Sequence, residues 1–207
     1  MTAISSFTPS AIASLSTSQI ASLTTSDVKK LSTAQVGALT STQLAALDTE
    51  DVLVLSGKQV AALNANELAA EDSDVYDRVA ALSSAQVKAL TTTQMAAFTT
   101  AHVESFDTAD IAAMSATQLN SLSTDFVAAM STDQVDALTL NQVKGLSTTF
   151  MQALNSEQLQ ALSSDQVRAL SARQLSAIST DNLLTLETED LAALTAKQLQ
   201  GLSSDII

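Results

Sequence analysis

The sequence is notable first for what it lacks. It has no cysteine and no tryptophan, one proline and four glycines, and aromatic residues make up only 3% of its 207 residues. Without cysteine, disulfides and thiolate metal sites are excluded. Gly-rich phosphate-binding loops are also absent. Because 46% of the residues are hydrophobic, a core is available, but it must be built from Leu, Val, Ile and Ala.

Basic residues are also scarce. Nine Lys and Arg stand against 22 Asp and Glu, which gives a net charge of −13. Nucleic-acid phosphates and anionic membrane surfaces repel such a chain, so neither is an expected partner. No run reaches the roughly 18 consecutive apolar residues that a membrane helix requires. The sequence therefore predicts no nucleic-acid binding and no membrane insertion.

An eight-residue repeat fills almost the whole chain. Numbered from Phe7, the octad reads roughly L-S/T-x-x-Q-V-x-A; it continues to residue 70, is interrupted by the insert 71–73, and resumes at Asp74. Counting gives 25 octads, of which the last is cut short. Internal periodicity of this kind indicates a repeat architecture. The sequence predicts one continuous repeat domain with a first segment, 1–70, and a second segment, 74–207, on either side of the insert.

The octad period selects among three repeat folds. At about 100° per residue, eight residues advance the apolar stripe about 80° beyond two full turns, which excludes a single long helix and a coiled coil. A β-solenoid is the other candidate, but Ala, Gln and Leu favour helix. Position 2 is Ser, Thr, Asp or Asn in all octads except at Val75 and Glu187, and position 5 is usually Gln. This pairing is the capping box of a helix N-terminus. The sole proline, Pro9, falls at the first helical position, where proline is best tolerated.

Each octad is therefore predicted to form one very short helix. Helices of this length are not stable alone, so they must stack on neighbouring copies. The expected fold is all-α, a solenoid of very short helices with one helix per eight-residue repeat. In every third octad, six of the eight position-5 sites lack Gln, against six of the other 17 sites; the former six are Asp27, Asp51, Arg78, His102, Phe126 and Phe150. That spacing predicts three helices per superhelical turn.

The carboxylates around the insert and the single histidine are the two candidate chemical sites in the sequence. Around the insert, Glu71, Asp72, Asp74 and Asp77 offer carboxylates to Ca²⁺, but the segment lacks the glycine and terminal bidentate glutamate of a calcium loop. A solvated bulge is the favoured interpretation. His102 is the only histidine, so it has no second histidine or cysteine for a metal site, and it is predicted to serve as a substituted capping-box residue. The sequence predicts no catalytic residues, no cofactor and no enzymatic activity.

The phrase LSTAQVGAL at 31–39, with its relatives LTTTQMAAF and LSSDQVRAL, resembles the octapeptide arrays of large proteobacterial surface and secreted proteins, often described as adhesin-like or RTX-like. The resemblance implies a bacterial, extracellular or cell-surface module and carries over no functional residue. The C-terminal SSDII resembles an uncleaved type I secretion signal, although a truncated octad explains it equally well. The cytoplasm remains an alternative location.

The two ends of the array suggest a function. The first and last octads resemble interior repeats rather than polar caps, and uncapped solenoid ends favour stacking of one copy on another. We expect a non-enzymatic scaffold that associates head to tail into a filament or extended assembly, with Phe7 and Ile12 at one end and Leu202 and Ile207 at the other. The alternative is a binding or adhesion module whose Ser/Thr/Gln/Asp-rich surface contacts a protein or glycan.

Overall fold

The computed structural model describes residues 4–186, 188–192, 194–200 and 202. Within these residues every element is a short helix and there is no strand. Two are 3₁₀-helices, Ile4–Ser6 and Thr100–Ser105, and 23 are α-helices of four to eight residues. None of the described helices has the length and hydropathy needed to cross a membrane. The predicted all-α fold is confirmed.

The chain divides into two compact units, Met1–Ala113 and Met114–Ile207. The insert lies inside the first unit, which therefore contains repeats from both sides of it. The α-helices of the first unit are α1 (Pro9–Ala13), α2 (Thr17–Ala21), α3 (Thr25–Lys30), α4 (Thr33–Val36), α5 (Ser41–Ala46), α6 (Thr49–Leu53), α7 (Gly57–Val60), α8 (Ala65–Leu68), α9 (Ser73–Ala80), α10 (Ser84–Val87), α11 (Thr92–Ala97) and α12 (Thr108–Ala113). Those of the second unit are α13 (Ala116–Leu119), α14 (Thr124–Ala129), α15 (Thr132–Asp136), α16 (Leu140–Gly145), α17 (Thr148–Ala153), α18 (Ser156–Gln160), α19 (Ser164–Ala169), α20 (Ala172–Leu175), α21 (Thr180–Leu183), α22 (Thr188–Ala192) and α23 (Ala196–Leu199).

Capping explains why each octad forms its own helix. In α2, the Ser16 hydroxyl accepts the backbone N–H of Gln19 at 3.2 Å, and the Gln19 side-chain oxygen accepts the backbone N–H of Ser16 at 2.9 Å. These two bonds satisfy N–H groups that a short helix otherwise leaves unpaired. In α1, Pro9 occupies the first turn directly after the cap Thr8. The prediction of one short helix per octad is confirmed for the described part of the chain, from α1 to α23.

Helices stack on the helix three places away in the repeat. In the first unit α1 contacts α4, α2 contacts α5 and α4 contacts α7; in the second unit α13 contacts α16, α14 contacts α17 and α15 contacts α18. Three octads therefore make one turn. The predicted three helices per turn are confirmed within each unit.

The core is built from two positions of the octad. Position 6 points inward, and Ile12, Ile20 and Val28 are all completely buried. Position 1 supplies the second set, such as Leu47 and Leu55. Burying an aliphatic side chain of this size stabilises the fold by about 1.5–3 kcal/mol. The repeated burial of these side chains allows helices that are unstable alone to persist.

The insert extends the helix that follows it, and its residues Glu71 and Ser73 are exposed. It leads directly into α9, where the Asp72 side chain acts as N-cap by accepting the backbone N–H of Asp74 at 2.9 Å. The helix therefore begins three residues earlier than the octad frame expects and is eight residues long. This explains why position 2 of that octad is Val75, which is completely buried and is not needed as a cap.

Candidate functional site

Position 5 has a role that reaches beyond its own helix. The Gln174 side-chain oxygen accepts the Ser171 backbone N–H and hydroxyl, both at 2.8 Å. Its amide nitrogen donates to the backbone carbonyls of Val143 at 2.7 Å and Leu146 at 2.9 Å. One side chain thus caps its own helix and ties it to the preceding turn.

This arrangement recurs along both units, and we call it the glutamine ladder. Its amide nitrogens donate to carbonyls in the previous turn, 28 to 34 residues earlier in the chain. The glutamines for which both interactions are described are Gln35, Gln43, Gln59, Gln86, Gln94, Gln142, Gln158, Gln166, Gln174 and Gln198. All ten are buried. Arg78 replaces glutamine in α9 and donates to the carbonyls of Leu47 and Ala45. The ladder joins successive turns by specific hydrogen bonds.

Two acidic residues at position 5, Glu67 and Asp190, accept hydrogen bonds from the previous turn instead. The Glu67 carboxylate accepts the backbone N–H of Ser41 at 2.6 Å, and the Asp190 carboxylate accepts the Ser164 hydroxyl at 2.7 Å. Burial raises the pKa of both Asp51 and Asp110 above the ordinary range. The direction of the turn-to-turn bond thus depends on whether position 5 carries an amide or a carboxylate.

His102 lies at position 5 of the octad that forms the 3₁₀-helix Thr100–Ser105. Its Nδ1 accepts the backbone N–H of Thr99 at 3.2 Å, which confirms the predicted capping-box role. The neutral ring then carries its proton on Nε2, which is buried without a hydrogen-bond partner among the described residues. The Tyr76 ring meets the imidazole edge-on, with centroids 4.7 Å apart, and Phe98 lies at 5.1 Å. Burial lowers the pKa of His102.

The first turn of the array has an open face. Position-1 side chains Phe7, Leu15 and Leu23 are only half-buried, whereas those of the following turn, beginning with Leu31, are buried. Gln19 is exposed, and its amide nitrogen donates to no described residue. In later turns the preceding turn covers these same positions. We call Phe7, Leu15, Gln19 and Leu23 the leading face.

The last described turn has a different open face. Position 6 is completely buried at Leu175 and 1% exposed at Leu183, but it is half-buried at Leu191 and 37% exposed at Leu199. No described side chain donates to the carbonyls of Leu186 and Leu194. In earlier turns the next turn covers position 6 and donates to such carbonyls. We call Leu191 and Leu199, with these carbonyls, the trailing face.

The predicted end residues are only partly placed on these faces. Phe7 belongs to the leading face, as predicted. Ile12 is completely buried and Leu202 is 8% exposed; neither presents the open apolar surface that the sequence predicted. Ile12 is at position 6, which faces inward in the first turn, and Leu202 is at position 1, which the preceding turn covers. Ile207 lies outside the described residues.

The four carboxylates near the insert do not converge on one point. No group of three or more acidic or histidine side chains in the described part of the chain is placed to hold a metal ion. Asp72 is engaged as the cap of α9, while Glu71, Asp74 and Asp77 are exposed. The geometry of Glu71, Asp72, Asp74 and Asp77 therefore gives no support to a calcium site.

Sequence reasoning missed the ladder and most of the two faces. A signal for the ladder was present: position 5 is Gln in 13 octads and Glu only at Glu67. A capping box works with either residue, so a strong preference for the amide indicates a second interaction that requires an N–H donor. The leading and trailing faces have no comparable signal in the sequence. Their residues are of the same types as buried residues elsewhere, and the exposure of each depends on which turn lies beside it.

Comparison with known proteins identifies the repeat. A family model described as the ALTTAQ repeat matches residues 28–65, 103–140, 140–172 and 151–188, together more than half of the chain. No curated protein matches the chain. The match confirms that the octads form a recognised repeat, and a repeat of this kind indicates a structural or binding protein. It leaves the resemblance to proteobacterial surface arrays as an expectation.

Proposed function

We propose that this chain, which belongs to the ALTTAQ repeat family, is a non-enzymatic scaffold that associates head to tail through its leading and trailing faces. The observation that carries the proposal is the complementary exposure of the two faces. Position 1 is uncovered at one face and position 6 at the other. Inside each unit, these two positions are buried by the stacking of one turn on the next.

Hydrogen-bonding groups on the two faces are complementary as well. The leading face presents the amide nitrogen of Gln19, which donates to no described residue, and the trailing face presents the carbonyls of Leu186 and Leu194. An amide-to-carbonyl bond of this kind is the same contact that the glutamine ladder makes within the units. Association would therefore repeat existing contact chemistry, as expected for a nearest-neighbour repeat protein.

The contact is heterologous, since each copy uses a different face at its two ends. A heterologous contact produces a filament when its rotation does not close a ring. The net charge of −13 opposes the approach of two copies, and salt screens that repulsion over a Debye length of about 10 Å at 0.1 M. Association should consequently increase with protein concentration and with moderate salt.

Two variants that each block one face provide the test. Leu15→Asp places a charge on the leading face, and Leu199→Asp places one on the trailing face. In sedimentation velocity at raised salt, each variant alone should be monomeric, because its blocked face cannot pair with the intact face of another copy. An equimolar mixture should form a 1:1 dimer through the two faces that remain intact. The parent protein should form longer assemblies.

Leu53→Asp is the matched control. Leu53 is 54% exposed and belongs to neither face, so this change adds the same charge without altering assembly. A parent that stays monomeric at high concentration and raised salt would contradict the proposal and favour the binding-module alternative. A mixture of the two blocked variants that remains monomeric would contradict the pairing of these two faces.

A non-enzymatic role is part of the proposal and has structural support. The Ser and Thr hydroxyls at position 2 are used as helix caps throughout the array. His102 is completely buried, so it is not presented to a substrate. An extracellular or cell-surface location in a bacterium is also proposed, supported by the sequence resemblance alone. Immunodetection on intact cells and in culture medium, against a cytoplasmic marker protein, would test that location.

A further inference from the structure

Three basic side chains of the second unit line two adjoining surface grooves. The first groove, of about 320 Å³, is lined by Lys144 and Arg173 together with Ser147 and Ser171. The second, of similar volume, is lined by Lys144, Arg168, Asp165 and Leu140. Lys144 contributes to both. We call Lys144, Arg168 and Arg173 the basic groove; none of them belongs to the leading or trailing face.

This concentration of positive charge is unusual for the chain. The second unit contains four basic residues in its whole sequence, and three of them line the basic groove. Asp165 is the only acidic residue that lines either groove, and it contacts Arg168 at 3.7 Å with both side chains more than half exposed. An exposed pair of this kind is weak. Lys144 and Arg173 have no acidic partner among the described residues, so the groove keeps a net positive charge.

An acidic segment of complementary character lies in the first unit. Residues 71–77 contain four carboxylates, and Glu71, Asp74 and Asp77 are exposed. The adjacent Arg78 does not neutralise them, because its guanidinium donates to the backbone carbonyls of Leu47 and Ala45. The segment is also where the octad frame is interrupted and where the longest described helix, α9, begins.

We propose that the basic groove of one copy binds the acidic segment 71–77 of a second copy. Electrostatic complementarity of this kind fixes the pairing of surfaces and excludes wrong partners. The contact lies on the side of the repeat rather than at its open turns. It would join copies laterally, and it does not depend on the proposed head-to-tail stacking.

A charge-swap experiment tests the lateral contact. All proteins carry Leu15→Asp and Leu199→Asp, so that stacking through the faces is absent, and sedimentation equilibrium is measured at 0.1 M salt, where the Debye length is about 10 Å. The background protein should dimerise. Adding Lys144→Glu with Arg173→Glu should weaken that association at least about tenfold, the equivalent of about 1.4 kcal/mol. Adding Glu71→Lys with Asp74→Lys should weaken it to a similar extent.

Mixing the two reversed variants should restore association as a heterodimer. The unchanged basic groove of one variant can bind the unchanged acidic segment of the other, and the two reversed surfaces are also opposite in charge. The control is Lys58→Glu, an exposed basic residue outside the basic groove, which should leave dimerisation unchanged. A background protein that is monomeric at all concentrations would overturn the proposal. The proposal would also be overturned if Lys144→Glu with Arg173→Glu weakened association while Glu71→Lys with Asp74→Lys did not. The basic groove would then bind an acidic group other than segment 71–77.

Discussion

Replacing Gln166 with alanine tests the glutamine ladder directly. Gln166 is 4% exposed, and its amide nitrogen donates to the carbonyls of Asp136 at 2.8 Å and Leu138 at 2.6 Å. Its side-chain oxygen accepts the backbone N–H of Ser163 at 2.6 Å. Leaving a buried polar group unpaired costs about 1–3 kcal/mol. Because Ser163 and Asp136 are exposed, water can satisfy the Ser163 N–H and the Asp136 carbonyl. The buried carbonyl of Leu138 dominates, and we expect a loss of about 1–3 kcal/mol in the free energy of unfolding.

The matched control is the same substitution in the first turn. Gln19 makes the capping box with Ser16, and its amide nitrogen donates to no described residue. Gln19→Ala should therefore cost at most about 1 kcal/mol, the usual range for loss of a cap. A third variant, Gln166→Glu, keeps the oxygen that accepts from Ser163 but turns a carboxylate oxygen toward two carbonyls. At neutral pH it should destabilise the protein at least as much as alanine does.

Urea denaturation followed by far-UV circular dichroism measures all three variants, with the change in midpoint converted to a free energy through the slope of the parent protein. Equal losses for Gln166→Ala and Gln19→Ala would show that the capping box accounts for the whole contribution of position 5. The turn-to-turn bonds would then contribute nothing to stability, and the ladder would be refuted as a stabilising element.

Three further predictions concern other positions. Burial lowers the pKa of His102, so its contribution to stability should be complete above its unfolded pKa of about 6.5 and should be lost as the pH falls below that value. Urea denaturation at pH 7 and pH 5 should show that His102→Gln removes this loss. An unchanged pH dependence of stability in the variant would contradict the assignment of the loss to His102. A Cβ atom at Gly37 would lie 2.7 Å from the carbonyl oxygen of Ala62. Gly37→Ala should therefore lower the free energy of unfolding by about 1–3 kcal/mol, although alanine favours helix. A gain in stability would show that the backbone at Ala62 shifts readily to accommodate the methyl group. Asp72→Ala should cost about 1 kcal/mol through loss of the α9 cap, whereas Asp77→Ala, at an exposed position, should change the melting temperature little; equal effects would argue against Asp72 as the cap.

Local features of the fold were predictable from the sequence because the residues that form them lie within a single octad. Ser16 and Gln19 are three residues apart and form a cap that requires nothing beyond their own helix. Pro9 fixes the frame in the same local way. Even the three-helix turn was visible, since the exceptions to Gln at position 5 are concentrated in every third octad, at six of eight sites against six of the other 17.

Long-range features were less accessible. The carbonyls of Asp136 and Leu138 lie 30 and 28 residues before Gln166, and nothing in a single octad identifies them as its acceptors. The same limit explains the errors at the ends of the array. Ile12 and Leu199 both occupy position 6, yet the first is buried and the second is exposed, because among the described helices a later one, α4, packs on the helix of Ile12 and none packs on the helix of Leu199.

The three-octad turn constrains how the length of such a chain can change. In the second unit α20 stacks on α17, which brings the octad of Gln174 beside the octad of Phe150. Deleting one octad between them, residues 154–161, would preserve every cap but would bring the octad of Asn182 beside Phe150 instead. All later residues would move one-third of a turn around the axis. Deleting three consecutive octads would leave each later residue in its original column. Loss of the single octad 154–161 should thus disperse the basic groove, because α19, which carries Arg168, would no longer stack on α16, which carries Lys144. The charge-swap assay on that deletion variant would measure the loss.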